Sequence, residues 1–439
     1  MNALPRADAR QMRRVVVASL IGATIEWYDF FLYGVVAGIV FNKLYFPSGD
    51  PLISTMLAYG TFAVGFLSRP LGGMIFGHFG DRLGRKSMLV MTLSIMGVAT
   101  VLIGAVPTYA QIGLWAPTLL LVLRIAQGLG LGGEWGGAVL MAFEYAPEGK
   151  RGFFASIPQI GLAIGLCLAS GVVAGLSSTL SNAQFLAWGW RVAFFLSFAL
   201  VAIGMYIRLR VMETPEFERV KQAGAEIRVP IAEVLTRYPG NVLAGMGARF
   251  IDGVFFNVFA VFTIAYLTQT LKIPRTDALL AVMAAAFVMI FAIPFFGRLS
   301  DRIGRARIYF WGSLLTGFSS FFGFWLMKHS GGEPLLVWIA VIIPLGIVYA
   351  SVYGPEAALF AELFDANVRY SGISFVYQFS GIFASGISPI MATWLLQRNG
   401  GDPWLICVYT LCAGLISALS AAWVGRKQGA RRVAMGGVR

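Results

Sequence analysis

Long apolar runs dominate this chain of 439 residues and constrain its fold more than any other feature. Hydrophobic residues make up 58% of the sequence and charged residues only 13%, about half the charged share of an average soluble domain. A helix that crosses a bilayer needs about 20 consecutive, mostly apolar residues, and twelve runs approach or exceed that length. The runs cover residues 15–41, 52–76, 88–106, 115–142, 153–176, 188–209, 240–269, 279–297, 308–327, 335–361, 371–396 and 403–425.

These runs predict an all-α membrane protein rather than a β-barrel. Barrel strands alternate apolar and polar residues over segments of about ten, whereas these runs are continuously apolar. A backbone exposed to lipid must also satisfy its own hydrogen bonds, which a helix does within one segment. The sequence therefore predicts twelve transmembrane helices.

The basic balance of the chain, +13 at pH 7, follows from this topology. With both termini in the cytoplasm, the cytoplasmic segments hold 25 of the 34 Lys and Arg residues and the external loops hold six. Cytoplasmic loops of membrane proteins carry such an excess. We therefore expect a multi-pass protein of the bacterial inner membrane, with both termini cytoplasmic, lipid around it and no nucleic-acid partner. Three scattered cysteines and two histidines predict no metal site.

A loop motif after helix 2 recurs after helix 8. Residues 77–86 read GHFGDRLGRK and residues 297–306 read GRLSDRIGRA, so Gly, Asp, Arg, Gly and Arg repeat at an offset of 220. Repeated loops at a constant offset indicate two parallel repeats of six helices. We predict an N-terminal bundle over 1–212, a cytoplasmic inter-bundle loop over 213–238 and a C-terminal bundle over 239–439.

The same loops place charges of both signs at the cytoplasmic helix ends. Acids and arginines there can pair when the bundles meet and separate when they part, which makes a latch between two states. The alternative is that the basic members only fix the topology. The predicted members of this cytoplasmic gate are Asp81, Arg85, Glu144, Arg151, Asp301, Arg305, Glu362 and Arg369.

Several ionisable residues fall inside the apolar runs, where a charge is costly and usually functional. Glu26 and Asp29 lie near the middle of helix 1, and Arg249 and Asp252 lie near the middle of helix 7. Because no histidine lies within the apolar runs, a carboxylate is the only credible proton carrier near neutral pH. We predict that role for Asp29, Glu26 and Glu134. In the alternative interpretation, Arg249 and Asp252 only neutralise each other and Glu26 is a packing residue.

Arginine is the expected partner of an anionic solute, because it stays charged and binds carboxylates through two parallel hydrogen bonds. Arg124 and Arg249 are the two predicted contacts of this kind. The remaining predicted solute contacts are polar or aromatic side chains of the same helices and of helices 1, 10 and 11: Asp252, Gln127, Tyr33, Asn257, Tyr353 and Gln378.

Two further features concern helices 2 and 4. Arg69 falls near the cytoplasmic end of helix 2, where we expect its side chain to extend toward the membrane surface. Helix 4 carries glycines at four-residue spacing, a pattern that favours close contact with a neighbouring helix. These glycines are Gly128, Gly132 and Gly136.

The doubled Gly-x-x-x-Asp-Arg-x-Gly-Arg motif resembles the signature of the major facilitator superfamily. Helix 1, with GATIEWYDFFLYG over 22–34, and helix 4, with RIAQGLGLGGEWGGA over 124–138, are similar to its metabolite:proton symporter family. So are ETPEF over 213–217 and RYSG over 369–372, and the EWGG form looks most similar to the shikimate-type branch. The resemblance covers nearly the whole chain. It implies the major facilitator fold, with two pseudo-symmetric six-helix bundles, and a carrier of the kind that transports shikimate, α-ketoglutarate, citrate or proline/betaine.

The chain departs from the pattern of that family at two places. Ala306 stands where the second loop motif usually has a basic residue, which makes the latch asymmetric. The sequence after Val424 is short and basic and lacks heptads, whereas the osmosensing proline/betaine branch has a coiled coil there.

Together these features predict a secondary active transporter and not an enzyme. We expect proton-coupled symport of a small organic acid, of the shikimate, dicarboxylate or aromatic-acid type, by alternating access in a monomer. The chain has no Walker A motif, so we expect no cofactor and a proton gradient as the driving force. Two alternatives stay open: proton-coupled uptake of a zwitterionic osmolyte such as proline or betaine, and a uniporter or sodium-coupled carrier.

Overall fold

The computed structural model describes residues 9–83, 85–132, 139–140, 142–143, 146–147, 149–210, 231–365 and 368–436. Within these ranges every regular element is helical, and twelve long helical segments follow one another along the chain. They are α1, residues 9–44; α2, Pro51–Leu83; α3, Arg85–Ala105; α4, Trp115–Leu131; α5, Arg151–Thr179; α6, 182–210; α7, 239–270; α8, Arg275–Ile303; α9, Arg305–His329; α10, 334–361; α11, 369–398; and α12, Trp404–Gly436.

Five of these segments contain a wider, π-helical stretch. Such stretches often occur at functional sites, because they rotate the following side chains relative to the preceding ones. They lie at Ala37–Phe41 in α1, Phe185–Gly189 in α6, Val258–Phe262 and Tyr266–Thr270 in α7, Ile342–Val348 in α10 and Ile382–Gly386 in α11.

The helices have the length and composition of membrane spans. In the described ranges, nine segments are long and apolar enough to cross a bilayer, namely α1, α2, α5 to α8 and α10 to α12. Shorter apolar helices lie at Val90–Ala105 in α3 and Trp115–Leu131 in α4, and α9 completes the set of twelve. The predicted all-α fold of twelve transmembrane helices is confirmed, and the chain is a multi-pass membrane protein.

Helix pairing repeats between the first six and the last six helices. In the first half α1 packs on α5, α2 on α4 and α3 on α6. In the second half α7 packs on α11, α8 on α10 and α9 on α12, which are the same pairs six helices later. The internal repeat that the loop motifs indicated is therefore also a repeat of the packing.

The two halves meet mainly along α5 and α8, and contacts of α2 with α11, α5 with α10 and α1 with α7 complete the interface. Glycines let α5 and α8 approach closely. A Cβ placed on Gly297 would lie 2.5 Å from the Ser156 hydroxyl and 2.9 Å from the Gly152 carbonyl oxygen. Because α5 and α8 cross so closely, the walls of the space between the halves come mainly from the neighbouring helices.

Glycines also set the contact between α2 and α4. A Cβ on Gly128 would overlap Ser68 and Gly65 of α2, and a Cβ on Gly72 would overlap the backbone of Leu129. The close helix contact that the glycine spacing of helix 4 indicates is thus present, and its partner is α2. Gly136 lies outside the described residues.

We expect Gly72→Ala to destabilise the folded protein by about 1–3 kcal/mol, because the added methyl group meets rigid backbone that must shift. Gly60→Ala on the same helix is the matched control, since a Cβ there has no heavy atom within 4 Å. The measurement is the apparent melting temperature of both purified variants in one detergent. Equal losses in the two variants would show that α2 and α4 do not pack as described.

Candidate solute-binding site between the two halves

A narrow cavity lies between the halves. Helices α1, α2 and α5 of the first half and α7, α10 and α11 of the second half provide its walls. The residues that line it are Trp27, Phe31, Phe66, Leu162, Arg249, Asp252, Gly253, Phe256, Asn257, Tyr349, Tyr377 and Ser385. The enclosed space in this structure holds roughly one water molecule, so the walls must move apart before a small metabolite can enter.

Arg249 is the cation that lines this cavity. Its Nη1 pairs with the Asp252 carboxylate one turn along α7, and its Nε lies 3.9 Å from Glu356 Oε1 of α10. The guanidinium also stacks on Tyr377 of α11, 3.7 Å from the ring centroid. Asp252 accepts a further hydrogen bond from the Tyr349 hydroxyl. Three helices of the second half therefore hold one cation in place beside the cavity.

Glu356 joins this group although it was not among the predicted site residues. Its side chain is fully buried, and neither carboxylate oxygen has a hydrogen-bond partner among the described residues. Its position in the sequence, an acid within the apolar run of helix 10, was the available signal.

The structure corrects the expectation for Arg69. Its side chain does not reach a surface, because it is 3% exposed and its guanidinium stacks on Phe30 and Phe66, at 4.1 and 4.4 Å from the ring centroids. Nε and Nη2 have no hydrogen-bond partner among the residues described. Arg69 lies close enough to Glu26 and Arg249 to interact with both electrostatically. It is thus a cation of the interface between the halves.

The predicted solute contact Arg124 lies elsewhere, in the interior of the first half. It is fully buried and stacks on Phe30, Tyr33 and Phe62 at 4.1, 4.4 and 4.8 Å from the ring centroids. These rings cover the guanidinium, so Arg124 does not line the central cavity. Its Nη1 donates to Gln127 Oε1 at 2.9 Å.

Gln127 and Tyr33 are likewise outside the cavity lining. Gln127 Nε2 donates to the Thr100 hydroxyl at 2.6 Å, and Tyr33 donates to Thr61 at 2.6 Å. These bonds tie α4 to α3 and α1 to α2. Both residues therefore extend the polar interior of the first half around Arg124.

The predicted proton carrier Asp29 is also buried in the interior of the first half. It is fully buried and accepts a hydrogen bond from Ser197 of α6 through Oδ1, while Oδ2 has no such partner in the part of the chain that the structure describes. Glu26, one turn earlier, is buried on the side of Arg69. Glu134 lies outside the described residues.

The other predicted solute contacts lie in the second half. Asn257 lines the cavity, and its Nδ2 donates to the Gly253 carbonyl at 2.8 Å while its Oδ1 is unpaired among the described residues. Tyr353 is buried behind the lining, and its carbonyl accepts a hydrogen bond of 2.7 Å from Gln159 of α5. Gln378 spans the interface, because it donates to the Gly132 carbonyl of the first half at 2.9 Å.

Asp301 connects the halves at the end of the molecule that carries the repeated loops. Its carboxylate accepts hydrogen bonds from the backbone N–H groups of Gly152 and Phe153, at 2.7 and 2.9 Å. These are the first N–H groups of α5, which are otherwise unsatisfied and favour a negative charge. Arg305 pairs with Asp301 at 3.2 Å and also with Glu362.

Two more predicted gate residues flank one aromatic ring. Arg151 and Arg369, one from each half, lie 5.1 and 5.6 Å from the ring centroid of Phe143. The side chains of Asp81 and Arg85 and the residue Glu144 lie outside the described part of the chain. Every predicted gate residue whose side chain is described therefore lies at this end.

The opposite end is bridged as well. Gln269 of α7 donates to the Gly38 carbonyl at 2.7 Å, Gln397 of α11 donates to Asp50 at 2.9 Å, and Arg275 of α8 donates to Ser177 at 2.9 Å. Each of these bonds joins one half to the other. The described residues therefore bridge the halves at both ends, with the cavity between these two sets of contacts.

Comparison with known proteins agrees with this architecture. The profile described as Sugar (and other) transporter matches residues 15–228, and that of the Major Facilitator Superfamily matches residues 245–434. The shikimate transporter of Escherichia coli (strain K12) is 40% identical over 411 residues, 93% of each chain. The proline/betaine transporter of the same strain is 34% identical over 424 residues, 94% of this chain and 84% of the relative.

A solved structure shares the fold. The xylose transporter XylE from E. coli, in a partially occluded inward-open conformation, superimposes with a TM-score of 0.73 at 16% identity, covering 95% of this chain and 98% of that one. The chain belongs to the major facilitator superfamily, in its metabolite:proton symporter family. It is a transporter and not an enzyme.

We expect Asp301→Ala to open the end at which α8 meets α5. Loss of a carboxylate cap costs about 1–2 kcal/mol, which corresponds to roughly a 5- to 30-fold larger open population. The measurement is the alkylation rate of a cysteine introduced by Ser300→Cys, at a site that is 1% exposed, in a chain whose native cysteines are replaced. Arg302→Ala is the control, since that side chain is exposed on the same turn. An unchanged alkylation rate in Asp301→Ala would remove the carboxylate from the gate.

Proposed function

We propose that this protein is a proton-coupled symporter of a small organic acid that works by alternating access. The observation that carries the proposal is the guanidinium of Arg249, buried beside a cavity between two related halves. A buried arginine favours a carboxylate because the two groups match in charge and geometry. The shikimate transporter, at 40% identity over nearly the whole chain, supports an organic acid as the solute.

The cavity wall suits a carboxylate attached to a ring. Trp27, Phe31, Phe66 and Phe256 supply flat apolar surface, while the free Oδ1 of Asn257 is an acceptor for a hydroxyl donor. In this proposal Arg249 and Asn257 contact the solute directly. Arg124, Gln127 and Tyr33 act from the interior of the first half by holding α1 to α4 together.

Transport in this proposal is a rocking of 1–212 against 239–439, with 213–238 as the connection. The bridges at the two ends then open alternately, and the gate residues close the cytoplasmic end. Asp29 takes up the proton, with Glu26 and Glu134 of the same half as the alternative carriers. The charge asymmetry of the loops supports a bacterial inner membrane with both termini cytoplasmic, and one chain forms the whole cavity, as a functional monomer requires.

A zwitterionic osmolyte is the second candidate solute, favoured by the 34% identity to a proline/betaine transporter. It too would present a carboxylate to Arg249. Its cationic group would need acids and aromatic rings, which Asp252 and the four aromatic walls provide.

The test is uptake into proteoliposomes of the purified chain. We expect accumulation of shikimate when the outside is acidic, collapse of that accumulation by a protonophore and no response to a sodium gradient. Competition by 2-oxoglutarate and 4-hydroxybenzoate but not by betaine would define the acid class. Competition by betaine alone would establish the osmolyte, and accumulation that needs sodium would overturn proton coupling.

We expect Arg249→Lys to raise the solute KM about tenfold or more, because lysine keeps the charge but loses the two-point contact, worth about 1.5–3 kcal/mol for a charged hydrogen bond. Initial uptake rates at several solute concentrations give the KM. Arg237→Lys is the control, since Arg237 has a side chain that is 67% exposed on the short helix before α7. A wild-type KM in Arg249→Lys would place the solute elsewhere.

Asp29→Asn should abolish accumulation driven by a pH gradient and spare exchange of internal for external solute. The amide cannot carry a proton, but it keeps the size of the side chain and its contact with Ser197. Uptake and counterflow in the same vesicles separate the two processes. Glu333→Gln, at an exposed position before α10, is the control; undiminished accumulation in Asp29→Asn would exclude Asp29 as the proton carrier.

A further inference from the structure

Glu356 is a carboxylate that shares its cation with another acid. Arg249 is paired through Nη1 with Asp252, and its Nε lies 3.9 Å from Glu356 Oε1, beyond hydrogen-bond distance. Both oxygens of Glu356 lack a hydrogen-bond partner within the described ranges, and the side chain is fully buried. One guanidinium therefore faces two acids, and Glu356 is the less well compensated of the two.

Among the residues that the structure describes, the surroundings of Glu356 supply no second cation in the same half. The titratable groups that interact with it are Arg249 of α7, Tyr309 of α9, Tyr377 of α11, and Tyr349 and Tyr353 of its own helix. Tyrosines are neutral near pH 7. From α5, Gln159 contributes only an uncharged amide, bonded to the Tyr353 carbonyl. The contact with α8 is through backbone and apolar atoms around Gly354.

Among the described residues around Arg249, the acids outnumber the cations by one. The first half contributes Arg69 and Glu26, one charge of each sign, and the second half contributes Arg249 with two acids. A solute carboxylate in the cavity would add another negative charge to this buried group. Leaving a charge buried without compensation costs several kcal/mol, so solute binding requires that one acid become neutral.

We propose that protonation of Glu356 releases Arg249 to the solute. The ionised carboxylate of Glu356 and the carboxylate of the solute compete for the same guanidinium, and the neutral acid does not compete. A proton adds to one oxygen of Glu356, its attraction to Arg249 falls away, and the solute carboxylate takes that place. On release the solute leaves, the proton dissociates and Arg249 again faces both acids.

This role differs from that assigned to Asp29, and it rests on the proposed symport of an organic acid. Asp29 lies in the first half, bonded to Ser197, and does not share Arg249. Glu356 instead makes the affinity for the solute depend on pH. Because coupling is reciprocal, the solute raises the affinity of Glu356 for its proton by the same factor.

The experiment is equilibrium binding of shikimate to the purified full-length chain in lipid nanodiscs, from acidic to alkaline pH. Above the titration of Glu356 we expect the wild-type Kd to rise about tenfold per pH unit, as one linked proton requires. In a weak buffer at alkaline pH, each bound solute should take up about one proton. Glu356→Gln should bind with the acid-limit affinity at every pH and take up no proton.

Three comparisons decide the result. Tyr309→Phe, which removes a neighbouring hydroxyl but no charge, should keep the wild-type slope, and so should Glu333→Gln at an exposed position before α10. If Glu356→Gln fails to fold, Glu356→Asp serves instead, since the shorter acid lies farther from Arg249 and should bind shikimate more tightly than the wild type at alkaline pH. A wild-type slope in Glu356→Gln, or wild-type alkaline affinity in Glu356→Asp, would overturn the inference.

Failure of the proposed function gives a different result. If the wild-type chain binds shikimate, 2-oxoglutarate and 4-hydroxybenzoate at no pH, the organic-acid function is wrong, and the role of Glu356 in it is wrong as well. Binding of these acids with a Glu356-independent slope removes only the inference.

Discussion

The structure depends on how the protein compensates the charge of a buried arginine, Arg249, which lies away from bulk water. Arg249 lies in the centre of a protein embedded in lipid, and Asp252, the ring of Tyr377 and the nearby Glu356 surround it. Removing Arg249 would leave its acids as buried charges without a cation, at a cost of several kcal/mol. Helices α7, α10 and α11 are therefore held in register by electrostatics as well as by packing. A solute anion enters a site whose charges already oppose one another.

The two halves pair their helices alike, but they compensate their buried charges differently. In the first half Arg124 is covered by aromatic rings and Asp29 is bonded to Ser197, so neither faces the cavity. In the second half Arg249, Asp252 and Asn257 line it. Arg69 and Glu26 bring first-half charges toward the interface near Arg249. The repeat thus supplies the architecture, and its asymmetry places the solute chemistry mainly in the second half.

Much of the fold follows from local sequence features, whereas the site follows only in part. Twelve apolar runs and a doubled loop motif predict the helices and their repeat, because span length and turn glycines act within one segment. Depth in the membrane can be counted along a helix, which identified Arg249 and Asp252. The direction in which a side chain points cannot be counted in this way, because it depends on which neighbours a helix packs against. For that reason the sequence did not indicate that Arg69 points into the protein or that aromatic rings cover Arg124. It also did not indicate that Glu356 lies beside Arg249, which belongs to another helix.

The contacts at the two ends differ in kind from those at the centre. The bonds of Asp301 to the first N–H groups of α5, and of Gln269 to the Gly38 carbonyl, can be replaced by water when an end opens. Their loss is therefore cheap enough for repeated opening. The charges around Arg249 have no such substitute while both ends are closed. An occluded state is therefore accessible only when the charges around Arg249 balance one another without water. Because this balance depends on what occupies the site, it links the movement of the halves to solute binding more directly than the strength of either gate does.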